Sequence, residues 1–165
     1  MTGHSARPPI QASVRIPPFG LPGMLDIPSQ ACGIVLFAHG SGSSRLSPRN
    51  NYVARALRDA SLGTLLFDLL TEEEEGVRAH VFDIELLAGR LSAAAEWLAT
   101  EPAAEGLPFG LFGASTGAAA ALVAAAAAPD MYRAVVSRGG RPDLAGEALP
   151  YVTAPTLLIV GGHDD

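Results

Sequence analysis

The chain has no lysine: all eleven of its basic residues are arginine, and they are scattered along the sequence. With a formal net charge of -6 and no basic run, nothing offers a footprint for a phosphate backbone, so nucleic acid is not an expected partner. Cys32 is the only cysteine, which rules out a disulfide framework or a cysteine-rich metal site. At the head of an apolar run, Cys32 reads as a small core residue. Long hydrophobic stretches are also missing. The longest, Gly117 to Ala128, falls well short of the roughly 18–20 residues that cross a bilayer, and the N-terminus Met-Thr-Gly-His-Ser-Ala-Arg-Pro-Pro has no apolar leader core. A cytoplasmic protein without a membrane partner is expected. Its 165 residues, 48% of them hydrophobic, suit one domain (1–165) with a sizeable core and are too few for two ordinary ones.

What is present alternates between short β-type runs and longer helical ones, the pattern of βαβ units around a parallel sheet. Proline and glycine punctuate the first thirty residues, where Ser13 to Ile16 and Leu21 to Ile27 predict an antiparallel hairpin turning at Phe19-Gly20. Continuous apolar runs at Gly33 to Ala38, Gly63 to Leu70 and Leu107 to Phe112 predict strands covered on both faces, and Arg133 to Ser137 and Thr156 to Val160 predict two more. Ser47-Pro48 reads as an N-cap with proline at the first helical position, opening a helix to about Ala60. Asp83 caps a second helix whose buried face is Ile84, Leu87, Leu91, Ala94 and Leu98, with Trp97 at its border. The acidic run Glu72 to Glu75 reads as a solvated loop or the first turn of a short helix rather than as a metal site.

The chemistry lies in Gly113-Ala114-Ser115-Thr116-Gly117, between a predicted buried strand and an alanine-rich helix. Glycine, any residue, serine, any residue, glycine in that setting describes a nucleophile elbow, a strained strand-to-helix turn that lifts the serine hydroxyl above the end of the sheet. Small residues flank the serine because a side chain there would strike the neighbouring strand or helix. A second loop, His39-Gly40-Ser41-Gly42-Ser43-Ser44, follows an earlier strand. The backbone amides of Thr116 and Ser41 are therefore the expected donors of an oxyanion hole, the other reading of 40–44 being an ordinary flexible loop. Gly110, Gly113 and Gly117 do not make the dinucleotide-binding spacing and follow the third buried strand, which argues against a nucleotide site.

Taken in order, Phe37 to Ser44, Phe112 to Gly117 and Thr156 to Asp164 resemble the dienelactone hydrolase-like branch of the α/β-hydrolases over nearly the whole chain. The resemblance implies an α/β fold, mostly a parallel twisted sheet with helices on both faces. It implies a catalytic Ser115 with Asp164 as the acid of its triad, Asp165 and Asp143 being the alternatives. Small esters or lactones are the implied substrates, with no cofactor and no metal. Arg138 and Arg141, in a glycine-rich loop at a strand end, are candidates for reading a substrate carboxylate, Arg138 first.

The triad order in this fold is serine, acid, histidine, and in the family the histidine follows the acid by about thirty residues. Here the sequence stops at Asp165, and none of His4, His39, His80 or His163 occupies the expected place. His39 reads as structural, His80 as an exposed residue before a helix, and His163 as exposed. The catalytic histidine is thus expected to be absent from this stretch, along with the last strand and helix of the fold. Two classes of function follow: an ester or lactone hydrolase whose longer parent, of about 200 or more residues, supplies the histidine, or a silent module that keeps the elbow only as architecture. Loss of the histidine from such a triad costs roughly 10⁶-fold in turnover. An apolar sheet edge is expected where the last strand would pair. No feature marks an oligomeric state.

Overall fold

The structure, a computed structural model, describes residues 7–163. Its strands are β1 (Ile10–Ile16), β2 (Leu21–Ile27), β3 (Ile34–Ala38), β4 (Gly63–Phe67), β5 (Phe109–Ala114), β6 (Tyr132–Arg138) and β7 (Thr156–Ile159). They form one sheet in the order β1-β2-β4-β3-β5-β6-β7. The first two make the expected hairpin, Ile16 facing Leu21, and β2 adds antiparallel to β4; the pairs from β4 to β7 are parallel. Strict alternation in β2, with Leu21, Gly23, Leu25 and Ile27 buried, sets which face of the hairpin meets the core.

Among the described residues five α-helices accompany the sheet: α1 (Pro48–Asp59), α2 (Glu72–Glu75), α3 (Arg78–Val81), α4 (Ile84–Thr100) and α5 (Thr116–Ala127). Their starts are written in the sequence. The Ser47 side chain accepts from the Asn50 amide at 3.3 Å ahead of α1, and Asp83 Oδ1 accepts from the Leu86 amide at 3.0 Å ahead of α4. The two faces of the sheet bury separate cores. Phe37, Leu66 and Phe112 meet Ala54, Val53 and Leu57 of α1, while Leu36, Leu65, Leu111 and Val135 join the core that holds α4 and α5. Burial of a leucine contributes about 1.5–3 kcal/mol, so Leu87, Leu91 and Leu98, all buried, are the principal hold on α4. In α5 the residues from Thr116 to Ala125 are all buried. Alanine suits this position because it favours the helix and lets its backbone approach both the sheet and α4 closely.

Several expectations shift. β5 begins two residues later than the apolar run and continues to Ala114, so Ser115 follows it directly. β4 ends at Phe67, although Asp68, Leu69 and Leu70 beyond it remain buried. Cys32 is exposed, because inward packing begins only at Gly33 and Ile34; its thiol lies 3.4 Å from the Ser61 carbonyl. The acidic run takes the second of its two expected forms, a short helix. It forms α2, in which Thr71 and Glu74 cap each other, and Glu74 also pairs with Arg90 of α4. Arg90 is 5% exposed and its guanidinium lies 3.4 Å from the centre of the Phe19 ring, so one side chain joins the hairpin turn, α2 and α4.

β7 pairs with β6 alone among the described residues, and all four of its residues are exposed, as the sequence led us to expect of that edge. Among the described residues no helix is long and apolar enough to cross a membrane.

Candidate active site

Ser115 stands between β5 and α5 with φ 52° and ψ -125°. That left-handed backbone is uncommon for a residue with a β-carbon and persists only where the surroundings impose it. Here they do. A β-carbon on Gly113 would lie 2.5 Å from Ala118 Cα, and one on Gly117 would lie 2.1 Å from the Ala38 carbonyl oxygen, so strand, turn and helix meet backbone to backbone. The Ser115 carbonyl is held as well, accepting from the Ala118 amide at 3.1 Å and the Arg141 amide at 3.2 Å. The side chain is left part-exposed, and its hydroxyl makes no hydrogen bond within the described residues.

The loop after β3 packs against this turn. A β-carbon on Gly40 would come within 2.8 Å of Ser115 Cβ. Buried His39 orders the loop: its Nε2 accepts from the Leu69 amide at 3.0 Å, which leaves the ring proton on Nδ1, 3.0 Å from the Gly40 carbonyl. Further along, Asp68 at the end of β4 accepts from the Arg45 amide at 2.7 Å and from its guanidinium at 2.5 Å. Both imidazole nitrogens of His39 are thus occupied, and it is structural, as expected.

Thr116 opens α5, so its amide has no acceptor within the helix and shares the positive end of the helix dipole. The second expected donor is arranged differently from the expectation. The Ser41 amide donates to Thr116 Oγ1 at 3.1 Å and is not free.

A cavity of about 930 Å³ opens over these groups. The loop from His39 to Ser44 and Thr116 form one wall, and Leu46, Leu70, Val81, Phe82 and Leu87 give an apolar one. Glu75 and Arg78 are its charged residues, the Arg78 guanidinium lying 5.7 Å from the centre of the Phe82 ring. Sequence reasoning read Glu75 and His80 but gave no residue of the segment from Glu75 to Phe82 a place in the site. Its position after a buried strand, where parallel sheets build their sites, was the available signal.

Arg138 is not among the residues lining that cavity. It ends β6 next to Ala114, not in a solvated loop, and its Nη2 donates to buried Asn50 of α1 at 2.9 Å while the group packs 5.8 Å from the Phe112 ring centre. Its Nε is buried with no hydrogen-bond partner among the described residues, so the packing places the guanidinium away from that cavity. Arg141 makes a bidentate pair with Asp143 at 2.9 and 2.7 Å on the surface. The hydrogen bond from Arg141 holds the Asp143 carboxyl below the usual carboxylate range. Asp164 and Asp165 lie outside the described residues, as does His4. His80 precedes α4 as expected but lies within the short helix α3 and is part-buried instead of exposed, while His163 is exposed. No described histidine hydrogen-bonds Ser115. Among the described residues no three His, Cys, Asp or Glu side chains gather as a metal site.

No family model matches the chain. A dienelactone hydrolase from Anabaena variabilis, known by crystal structure, is 59% identical with a TM-score of 0.88, over 96% of this chain and 76% of that one. A dienelactone hydrolase-like promiscuous phosphotriesterase from metagenomic libraries shares the fold with a TM-score of 0.67 at 19% identity, over 94% of this chain and 69% of that one. Two curated Mycobacterium tuberculosis proteins from different strains, provisionally named phosphoribosyl transferases, are 61% identical over 163 residues. Those residues are 97% of this chain, which spans only 37% of the relatives' length.

Proposed function

The chain belongs to the dienelactone hydrolase family of α/β-hydrolases, and from that premise we propose that it is a serine hydrolase of small carboxylic esters or lactones, acting through an acyl-enzyme on Ser115. The observation that carries the reading is the imposed left-handed backbone of Ser115 at the head of α5, against a glycine loop that, with the adjoining Thr116, lines a cavity of about 930 Å³. A serine held in this way presents its hydroxyl to a carbonyl carbon beside the cavity wall that Thr116 and the 39–44 loop form.

In this reading Ser115 Oγ attacks the carbonyl and the resulting oxyanion takes a hydrogen bond from the Thr116 amide, with a second donor from the side of the 39–44 loop. Collapse expels the alcohol, or opens the lactone ring, and water then releases the acid. A base must take the serine proton and return it to the leaving oxygen. The family's order assigns that base to a histidine outside this sequence, oriented by Asp164. The mechanism calls for no cofactor or metal.

The apolar wall of Leu46, Leu70, Val81, Phe82 and Leu87 suits a hydrophobic acyl or alcohol part, and Arg78 on the same cavity offers a guanidinium for an anionic one. Relatives named for phosphoribosyl transfer do not change the assignment, because an elbow serine is acyl-transfer architecture and most of their length lies outside this chain. Intact mass spectrometry of the natural full-length protein with a fluorophosphonate tests the reading. One adduct on Ser115, absent from Ser115→Ala, is expected. An unlabelled protein would leave the silent-module reading in its place, which the lack of a described histidine on Ser115 favours.

A further inference from the structure

We propose that the side-chain hydroxyl of Thr116 is the second oxyanion donor, with the Ser41 amide acting through it; the inference deepens the acyl-enzyme reading above and rests on it. A peptide N–H has one proton, and that of Ser41 is given to Thr116 Oγ1 at 3.1 Å. A hydroxyl that accepts still has its own proton to give. No described residue accepts that proton, and Thr116, which follows Ser115 at the start of α5, lines the cavity although only 3% exposed. A carbonyl oxygen turning into an alkoxide at Ser115 is the missing acceptor. Accepting the amide proton also polarises the O–H bond and makes it the better donor.

The arrangement is held in place. The Ser41 N–H and the Gly40 C=O belong to one peptide plane, and the Gly40 oxygen is bonded by His39 Nδ1 at 3.0 Å and by the Ser43 amide at 3.2 Å. Turning the Ser41 amide toward substrate breaks both bonds as well as its own. His39 cannot move its proton to Nε2 without losing the Leu69 amide, 3.0 Å away. His39 is therefore a positioning residue for this peptide, and Thr116 supplies the hole with its amide and its hydroxyl together.

The test compares wild type, Thr116→Val and Thr116→Ser in the natural full-length protein, by steady-state hydrolysis of p-nitrophenyl acetate and by the rate of fluorophosphonate labelling. Valine keeps the shape, removes the hydroxyl and frees the Ser41 amide. If the hydroxyl is the donor, T116V lowers kcat about 100-fold or more with KM little changed, the scale of losing one oxyanion donor, and T116S stays within a few-fold of wild type. Thr116→Ala should behave as valine does and serves if T116V does not fold. Undiminished or faster turnover in T116V would show the freed Ser41 amide to be the donor and overturn the proposal. An equal loss in T116S and T116V would do so too. A wild type that neither labels nor turns over ester refutes the acyl-enzyme reading itself, a result separate from either of these.

Discussion

Substituting Gly117 with alanine tests the packing that builds the elbow. The new β-carbon would lie 2.1 Å from the Ala38 carbonyl oxygen, 2.5 Å from that of His39 and 2.6 Å from the Ala38 carbonyl carbon. Because all three are backbone atoms, no side chain can turn aside. An ordinary carbon-to-oxygen contact needs about 3.3 Å, so α5 and the end of β3 must part by roughly 1 Å. Forcing an extra methyl into a packed site costs about 1–3 kcal/mol or more, while alanine returns about 1 kcal/mol of helix propensity. With the clash at the top of its range, a net loss of about 2 kcal/mol lowers the melting temperature of a chain this size by about 4–8 °C. Function should suffer more than stability. A displacement of about 1 Å between Ser115 and the loop that faces it is enough to slow the chemistry roughly 100-fold. Differential scanning calorimetry and fluorophosphonate labelling of Gly117→Ala measure the two effects. A variant that melts within 1 °C of wild type and labels at its rate would refute the argument that this contact positions the elbow.

Glu74→Gln keeps a capping side chain but leaves Arg90 charged and nearly buried, and is expected to cost about 3 kcal/mol, read by urea denaturation; adding Arg90→Met should recover much of that loss. Burial pushes the Tyr132 phenol up to about 12, a nearby Ser92 hydroxyl opposing and the Glu96 charge adding. Unfolded tyrosine ionises near 10, so stability falls as pH rises from 10 to 12, by about 2–3 kcal/mol when complete. Tyr132→Phe should flatten that limb of a stability–pH curve and leave the neutral range unchanged. Asp68→Ala removes both acceptors for Arg45, charge-assisted bonds of about 1.5–3 kcal/mol each to lose; faster amide exchange across 40–47 is expected, with slower turnover.

What the sequence determined by itself is what depends on neighbours along the chain. The caps at Ser47 and Asp83, the alternation of β2, and the glycines around Ser115 act within a few residues, so their consequences can be read directly. The same locality explains the small errors at the ends of β4 and β5, since hydrophobicity marks burial, and Leu69 and Leu70 are buried without being strand. Tertiary structure decided the partners. Arg138 and Asn50 are 88 positions apart, Ser41 and Thr116 75, His39 and Leu69 30, and Arg90 and Glu74 16. A guanidinium or an amide bonds whichever acceptor the packing of α1, α4 and the strand ends brings within about 3 Å. No spacing in the chain carries that distance, so Arg138 came to meet Asn50, Arg78 to line the cavity, and the Ser41 amide to point at Thr116.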